Sequence, residues 1–165
     1  MKRNDKLQKP DFAGMGRSFF MIGLLNRFNN QFQAAADAMF GELSWKQVFF
    51  LNCVTLFRES PAIKDVADVV GCSHQNAKQI LLKLEKGGFV TMEQDETDRR
   101  RQRIRVTHKA EAFRKEFDEP SRHVMERIFA GVDAEELEMT IRVITDLDDN
   151  LRRYQEEKDE DNHYI

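Results

Sequence analysis

Residues 62–107 read AIKDVADVVGCSHQNAKQILLKLEKGGFVTMEQDETDRRRQRIRVT. The segment 64–70 has apolar residues at helical spacing, and Gly71 after it can end a helix and turn the chain. Ser73 can cap a second helix, 74–86, by accepting a hydrogen bond from a backbone amide in its first turn. That helix would leave a polar side exposed and bury an apolar side made of Ala77, Ile80, Leu81 and Leu84.

A basic hairpin follows the two helices. Gly87 and Gly88 are expected to end the second helix, 89–93 has the composition of a strand, and 102–106 alternates polar and apolar residues as a second strand does. Five of the seven residues 99–105 are arginine, and guanidinium groups suit phosphate oxygens and a narrow minor groove. Helix, turn, helix and basic hairpin together predict a winged helix-turn-helix.

The polar side of the second helix has two interpretations. A polar helix face is usually a solvated face, and that interpretation suits single lysines such as Lys64 and Lys86. Asn and Gln side chains, however, can form paired hydrogen bonds with adenine in the major groove, and this helix opens with both residue types. The whole pattern therefore favours contact with nucleic acid, through His74, Gln75, Asn76, Lys78, Gln79 and Lys83.

The net charge of the chain is −3, which alone would not suggest a DNA-binding protein. Residues 62–109 nevertheless contain ten Lys and Arg against seven Asp and Glu, so the positive charge is local and the remainder is acidic. An acidic background weakens indiscriminate binding to polyanions and leaves one basic face for docking.

Several classes of protein are disfavoured by the sequence. It has no phosphate-binding loop, no metal-ligand spacing and no nucleophile with a placed base, so we expect neither an enzyme nor a cofactor. Without a targeting run or a span of about 20 apolar residues, a soluble cytoplasmic protein is expected. Cys53 has the pattern of a small buried side chain, and Cys72 is either a small apolar residue or a redox-active thiol.

Helices are also predicted before the winged module. Residues 17–39 have a helical apolar pattern, and Ser44 with Gln47 forms a capping box for a helix expected to continue through Phe57. Trp45 and the neighbouring phenylalanines are most simply core residues, with an aromatic ligand pocket as the alternative.

After the module, Thr107 can cap a long helix that Pro120 should kink or divide. Asp133 and Glu136 form a D-x-x-E sequence typical of another helix start. A continuous apolar seam then follows, formed by Leu137, Ile141, Ile144, Leu147, Leu151 and Tyr154.

The apolar side chains of these outer helices exceed what one winged module can cover. At about 25 cal/mol per Å2, leaving several Phe and Leu side chains in water would cost several kcal/mol. A second copy of the chain is the simplest cover, and two-fold pairing presents two recognition helices to one duplex. The predicted dimer interface consists of Phe19, Ile22, Phe28, Ile141, Ile144, Leu147, Leu151 and Tyr154.

The predicted fold class is mainly α with a small β-hairpin, as a winged helix-turn-helix with N- and C-terminal dimerisation helices. One domain is expected to cover residues 1–165, with the winged module at 62–107 and dimerisation helices at 17–40 and 108–155. Residues 1–10 and 156–165 are expected to be mobile.

From Arg17 to Tyr154 the chain resembles the multiple-antibiotic-resistance regulator (MarR) family of dimeric winged-helix transcription factors. The residues that carry the resemblance are Leu43-Ser44-x-x-Gln47, Ile63 to Ala67, Ser73 to Val90, Asp98-x-Arg100 and Ile104-x-Val106-Thr107.

The resemblance implies a homodimer formed by the first and last helices, with the second helix of each module in successive major grooves. In the family a wing aspartate commonly braces an arginine and a wing arginine enters the minor groove, a pattern that Asp98 and Arg100 match. Gln79 stands where relatives often have Arg, and Ala110 replaces a frequent Gly. The family often releases DNA when a small aromatic or phenolic effector binds. The candidate DNA contacts are Ser73, His74, Gln75, Asn76, Lys78, Gln79, Lys83, Asp98, Arg99, Arg100, Arg101 and Arg103.

Two functions follow as alternatives. The first is a homodimeric repressor that binds double-stranded DNA at a palindromic operator, with half-sites about 10 bp apart. The second is a winged-helix dimer that acts through protein contact, in the manner of an antirepressor. Steep salt dependence of duplex binding would distinguish the first from the second.

Overall fold

The computed structural model describes residues 14–95 and 101–162, with side chains described up to residue 158. Within them the chain forms six helices and one hairpin, so the predicted fold class is confirmed. The elements are α1 (Arg17–Phe40), α2 (Trp45–Val54), α3 (Ile63–Val70), α4 (His74–Lys86), β1 (Val90–Gln94), β2 (Gln102–Val106), α5 (His108–Ile128) and α6 (Ala134–Asn162). Two compact units are formed, unit 1 to Phe117 and unit 2 from Asp118.

The start of α2 is set by the predicted capping box. Ser44 Oγ accepts a hydrogen bond from the Gln47 amide at 3.3 Å, and Gln47 Oε1 accepts one from the Ser44 amide at 3.0 Å. The predicted continuation through Phe57 is wrong, because α2 ends at Val54. Both the amide and the hydroxyl of Thr55 donate to the Asn52 carbonyl, and this tight local bonding closes the last turn.

Local signals also set the two helices of the helix-turn-helix. Gly71 ends α3 in the left-handed region, at φ 71°, where glycine has no Cβ penalty. Ser73 Oγ accepts from the Asn76 amide at 3.3 Å and caps α4 as predicted. A further cap that the sequence analysis missed holds the start of α3, where the Ala62 amide donates to Asp65 Oδ2 at 2.8 Å.

The hairpin is antiparallel and pairs Val90 with Val106 and Gln94 with Gln102 at its two ends. The second strand has its predicted bounds, whereas the first begins one residue later than predicted. Phe89 instead lies before the strand and is buried. The core of unit 1 is shared by α1 to α5 and the hairpin. Its largest fully buried side chains are Phe50, Leu51, Val66, Leu81, Leu84, Phe89, Val90 and Ile104.

The last two helices begin as predicted but differ in length. Thr107 Oγ1 accepts from the Ala110 amide at 3.3 Å, and Asp133 Oδ1 accepts from the Glu135 amide at 2.8 Å. Pro120 was predicted to kink or divide the helix; α5 runs through it, so the helix is not divided there, and a kink stays a prediction. Pro120 is exposed, so water can hydrate the carbonyl whose partner the proline removes.

The final helix extends to Asn162, past the predicted helical end at residue 155. Residues 156–162 include three Glu and one Lys, which are strong helix formers.

Candidate nucleic-acid interface

The second helix of the helix-turn-helix, α4, has two distinct sides. Ala77, Ile80, Leu81 and Leu84 are buried in the core of unit 1, with exposures of 7% or less. The residues predicted to contact DNA lie on the other side, where Asn76 is half-buried and Ser73, His74, Gln75, Lys78, Gln79 and Lys83 are exposed. Packing of the apolar side therefore orients the polar side outward.

One predicted wing contact has partners inside the protein. The Arg103 Nε donates to Asp95 Oδ2 at 2.5 Å, and its Nη1 donates to the Ser60 carbonyl at 3.1 Å. The hydrogen bond with Asp95 raises the pKa of Arg103 above its ordinary value. Asp95 is itself 9% exposed and directly follows β1, so this ion pair fixes the loop end of the hairpin.

The other wing residues divide into two groups. Arg101 and Arg105 are exposed, and the Arg105 Nε lies 3.5 Å from Glu93 Oε2. The predicted contacts Asp98, Arg99 and Arg100 lie outside the described residues, so their roles stay predictions.

Two hydrogen bonds join the hairpin to the helix-turn-helix. The Met92 amide donates to Glu85 Oε1 on α4 at 2.9 Å. On the other strand, the Ile104 amide donates to the Pro61 carbonyl at 2.9 Å, next to an isolated bridge between Ala62 and Arg103. These two bonds hold the hairpin against α4 and against the segment before α3.

A groove of about 390 Å3 lies between the start of α3, the start of α4 and the loop end of the hairpin. Lys64 was predicted to be a solvated side chain and is exposed, but its place in this groove was not predicted. Most of the lining is polar or charged, and Ala62 and Ile63 add apolar surface. The charged lining residues are Lys64, Asp65, Asp68, Lys78 and Arg101, so several cations lie near the exposed side of α4.

The sequence of this module matches a known domain family. Residues 43–110 match the family described as winged helix DNA-binding domain, and they include α2 to β2, the start of α5 and every element of the interface. This part of the chain therefore has the fold of a winged helix domain.

Solved structures show the same fold over most of the chain. An organohalide-sensing RdhR transcriptional regulator bound to 2,4-dichlorophenol is 17% identical, with a TM-score of 0.74 and coverage of 88% of both chains. A MarR protein from Peptoclostridium difficile is 17% identical, with a TM-score of 0.69, over 93% of this chain and 96% of that one. The S. aureus MepR in a DNA complex is 16% identical, with a TM-score of 0.71, over 82% and 99%. The predicted MarR resemblance is confirmed as a shared fold.

Lys109 connects three parts of the winged helix domain. Its Nζ lies 3.1 Å from Glu42 Oε2, donates to the Gly87 carbonyl at 3.0 Å, and sits 4.2 Å from the centre of the Phe89 ring. A cation at the carboxyl end of α4 also complements the helix dipole. The lysine therefore joins the end of α4 to the turn between α1 and α2.

An aromatic cluster within unit 1 joins α1 to α2. Trp45 contacts the Phe32 ring edge-to-face with centroids 4.8 Å apart, and it stacks on Phe40 and Phe49 at 6.1 Å each. Phe40 is buried, whereas Phe49 is 38% exposed. The cluster thus reaches from the core to the surface.

The two cysteines of the chain are free thiols in different surroundings. Cys53 is 3% exposed, and burial raises the pKa of its thiol. Cys72 is partly exposed in the turn before α4. Across residues 14–95 and 101–162, no group of three or more potential metal ligands occurs and no helix is long and apolar enough to cross a membrane.

Proposed function

We propose that this protein is a homodimeric transcriptional repressor that binds a palindromic operator through its winged helix domains. The observation that carries the proposal is the outward side of α4, where seven polar residues from Ser73 to Lys83 are exposed or half-buried opposite a buried apolar side. An α-helix with such a side fits the major groove, which displays a distinct donor and acceptor pattern for each base pair. The complex of S. aureus MepR with DNA supports this use of the fold.

The contacts have separate roles in the proposal. Lys78 and Lys83 bind phosphates, and Gln75, Asn76 and Gln79 read base edges. The wing supplies further positive charge through its tip and Arg101. Arg103, first considered a DNA contact, is now proposed to position the wing, because Asp95 and Ser60 occupy its guanidinium.

The homodimer is supported by the apolar side chains that the chain itself leaves exposed. On α1, Phe19, Ile22 and Phe28 are 79%, 59% and 51% exposed. On α6 no described side chain is buried, although its seam is apolar and includes Ile141, Ile144, Leu147, Leu151 and Tyr154. Because helices in water are stabilised mainly by packing of an apolar face, this seam needs a partner, and a second copy provides one.

The aromatic cluster around Trp45 is the proposed site for a small aromatic effector. It offers ring edges and faces at the surface of unit 1, and the organohalide-sensing RdhR regulator binds 2,4-dichlorophenol. Trp45 is the single tryptophan of the chain, so its fluorescence reports on this cluster directly. Titration with 2,4-dichlorophenol should quench that fluorescence and weaken DNA binding. If 2,4-dichlorophenol quenches the Trp45 fluorescence but DNA stays bound, the cluster is not an effector site that controls DNA binding.

The central experiment is selection of bound duplexes from a random pool, followed by gel-shift titration of the selected duplex and a scrambled duplex. We expect tighter binding to the selected duplex, with related half-sites about 10 bp apart and an affinity that falls steeply with salt. Weak binding to both duplexes without salt dependence would instead support contact with a protein partner.

Matched variants test the roles of individual residues. Gln79→Ala should reduce the difference in affinity between the selected and the scrambled duplex, because the variant loses a side chain that reads a base. Lys83→Ala should weaken binding to both duplexes equally and lower the salt slope by about one. Lys115→Ala is the control, because Lys115 is an exposed lysine on α5 outside the interface.

A further inference from the structure

The outward side of α4 contains one large apolar residue. Leu82 is 45% exposed, whereas the neighbouring Leu81 and Leu84 are fully buried. Leu82 follows Gln75 by seven positions and Gln79 by three, and residues at these spacings lie on one face of a helix. The leucine therefore lies in the middle of the side proposed to enter the major groove.

We propose that Leu82 contacts the C5-methyl group of a thymine in each half-site and contributes to base specificity. This inference rests on the proposed function and adds an apolar contact to its polar ones. The thymine methyl is the one apolar group that base pairs display in the major groove, and apolar side chains recognise it. Burying Leu82 against that methyl would remove both apolar surfaces from water.

Helix geometry gives the position of this thymine. At 1.5 Å per residue, Leu82 lies about 4.5 Å along the helix axis from Gln79 and about 10.5 Å from Gln75. Base pairs are spaced at about 3.4 Å along the duplex. The thymine is thus one or two base pairs from the base that Gln79 reads, on the side away from the base that Gln75 reads.

The surroundings of Leu82 favour DNA over a protein partner. The exposed side of α4 also carries Lys78, Lys83 and Lys86. Charged side chains are depleted in the buried centre of a protein interface, whereas lysines beside an apolar residue suit a duplex with phosphates on both sides of the groove.

The test replaces thymines with deoxyuridine one at a time in the duplex selected by the wild-type protein, so that single methyl groups are removed. One replacement should weaken wild-type binding about fourfold, as expected for loss of one buried methyl group. Leu82→Ala should bind the thymine and deoxyuridine duplexes equally. Leu56→Ala is the matched control, because Leu56 is 73% exposed in the segment between α2 and α3, and it should keep the fourfold difference.

The experiment distinguishes failure of this inference from failure of the proposed function. Leu82 has no such role if the wild-type protein binds its selected duplex but removal of any single methyl group leaves its affinity unchanged. The same holds if Leu82→Ala still binds the thymine duplex about fourfold more tightly than the deoxyuridine duplex. If the wild-type protein selects no duplex at all, the proposed function fails with it. Circular dichroism and unfolding of Leu82→Ala should match the wild type, because an exposed side chain contributes little to stability.

Discussion

The guanidinium of Arg103 is held by Asp95 and by the Ser60 carbonyl, two partners on different segments of the chain. Arg105, two residues later on the same face of the strand, is exposed and pairs with the exposed Glu93. Two arginines of one strand therefore differ in their partners: those of Arg103 include the buried Asp95, whereas that of Arg105 is exposed. A charged group with buried partners positions the backbone, whereas an exposed ion pair contributes little.

We expect Arg103→Gln to lower the midpoint of urea unfolding and to weaken binding to every duplex, because the hairpin loses its anchor to the segment before α3. Arg105→Gln removes the same charge from an exposed site and should leave the unfolding midpoint near that of the wild type. Urea titrations followed by circular dichroism measure both. Equal midpoints for the two variants would contradict a positioning role for Arg103.

The cysteines should differ in reactivity at mildly alkaline pH. Because burial raises the pKa of Cys53, its reactive thiolate is scarce in the folded protein, and its sulfur is also inaccessible. A chromogenic disulfide reagent should therefore modify one thiol per native chain and two in urea. Cys72→Ala should abolish the native reaction. Rapid modification of native Cys72→Ala would show that Cys53 is accessible.

At the scale of elements, each helix of the winged helix domain begins where a side chain satisfies backbone amides that have no partner within the helix. Ser44 and Ser73 do so for α2 and α4, and Asp65 does so for α3. These caps act within three residues of sequence. They define helix starts through local hydrogen bonds.

Ser44→Ala should lower the free energy of unfolding by about 1 kcal/mol, the usual value for losing a capping side chain. DNA affinity at temperatures well below the unfolding transition should be unchanged, because Ser44 lies outside the interface. Denaturant titration measures the first effect and gel shift the second. Ser44→Thr, which keeps the hydroxyl, should recover most of the stability, and a Thr variant as unstable as the Ala variant would argue against the cap.

At the scale of the whole molecule, the seam of α6 is the feature that a single chain leaves unsatisfied. Leu147 and Leu151 are 40% and 54% exposed, and the helix carries no buried side chain among those described. Most of the stability of a helix in a folded protein comes from packing of its apolar face, and on α6 that face is largely exposed. Two copies with paired seams would resolve this and would present two α4 helices to one duplex.

Leu147→Glu should raise the dissociation constant of the dimer by about tenfold or more, because it places an unpaired carboxylate in the seam. Weaker operator binding should accompany it, since one chain can occupy only one half-site. Sedimentation equilibrium at micromolar concentration measures the assembly. Arg142→Glu changes the charge on the opposite side of α6 and should remain dimeric. An unchanged dimer in Leu147→Glu would exclude the seam from the interface.

Sequence and structure agree where the cause is local. The bounds of β2, the αL turn at Gly71 and the caps at Ser44, Ser73 and Thr107 were predicted because each depends on residues a few positions apart. The end of α2 was predicted wrongly, because the helical spacing of apolar residues continues past Thr55 although the helix ends before it. The exposed polar side of α4 was predicted for the same reason as its buried side, since both follow from one helical period.

By itself, the sequence determined the order of the elements, the winged helix-turn-helix and the side of α4 that faces outward, because helical and strand periods act over a few residues. Only the tertiary structure decided that Arg103 holds the hairpin, that Lys64 lines the groove and that Lys109 joins α4 to the turn after α1. These roles depend on partners up to 67 positions away, such as Glu42 for Lys109. Charge on a side chain is a property of its residue, but whether that charge meets a carboxylate or water is set by how the chain packs.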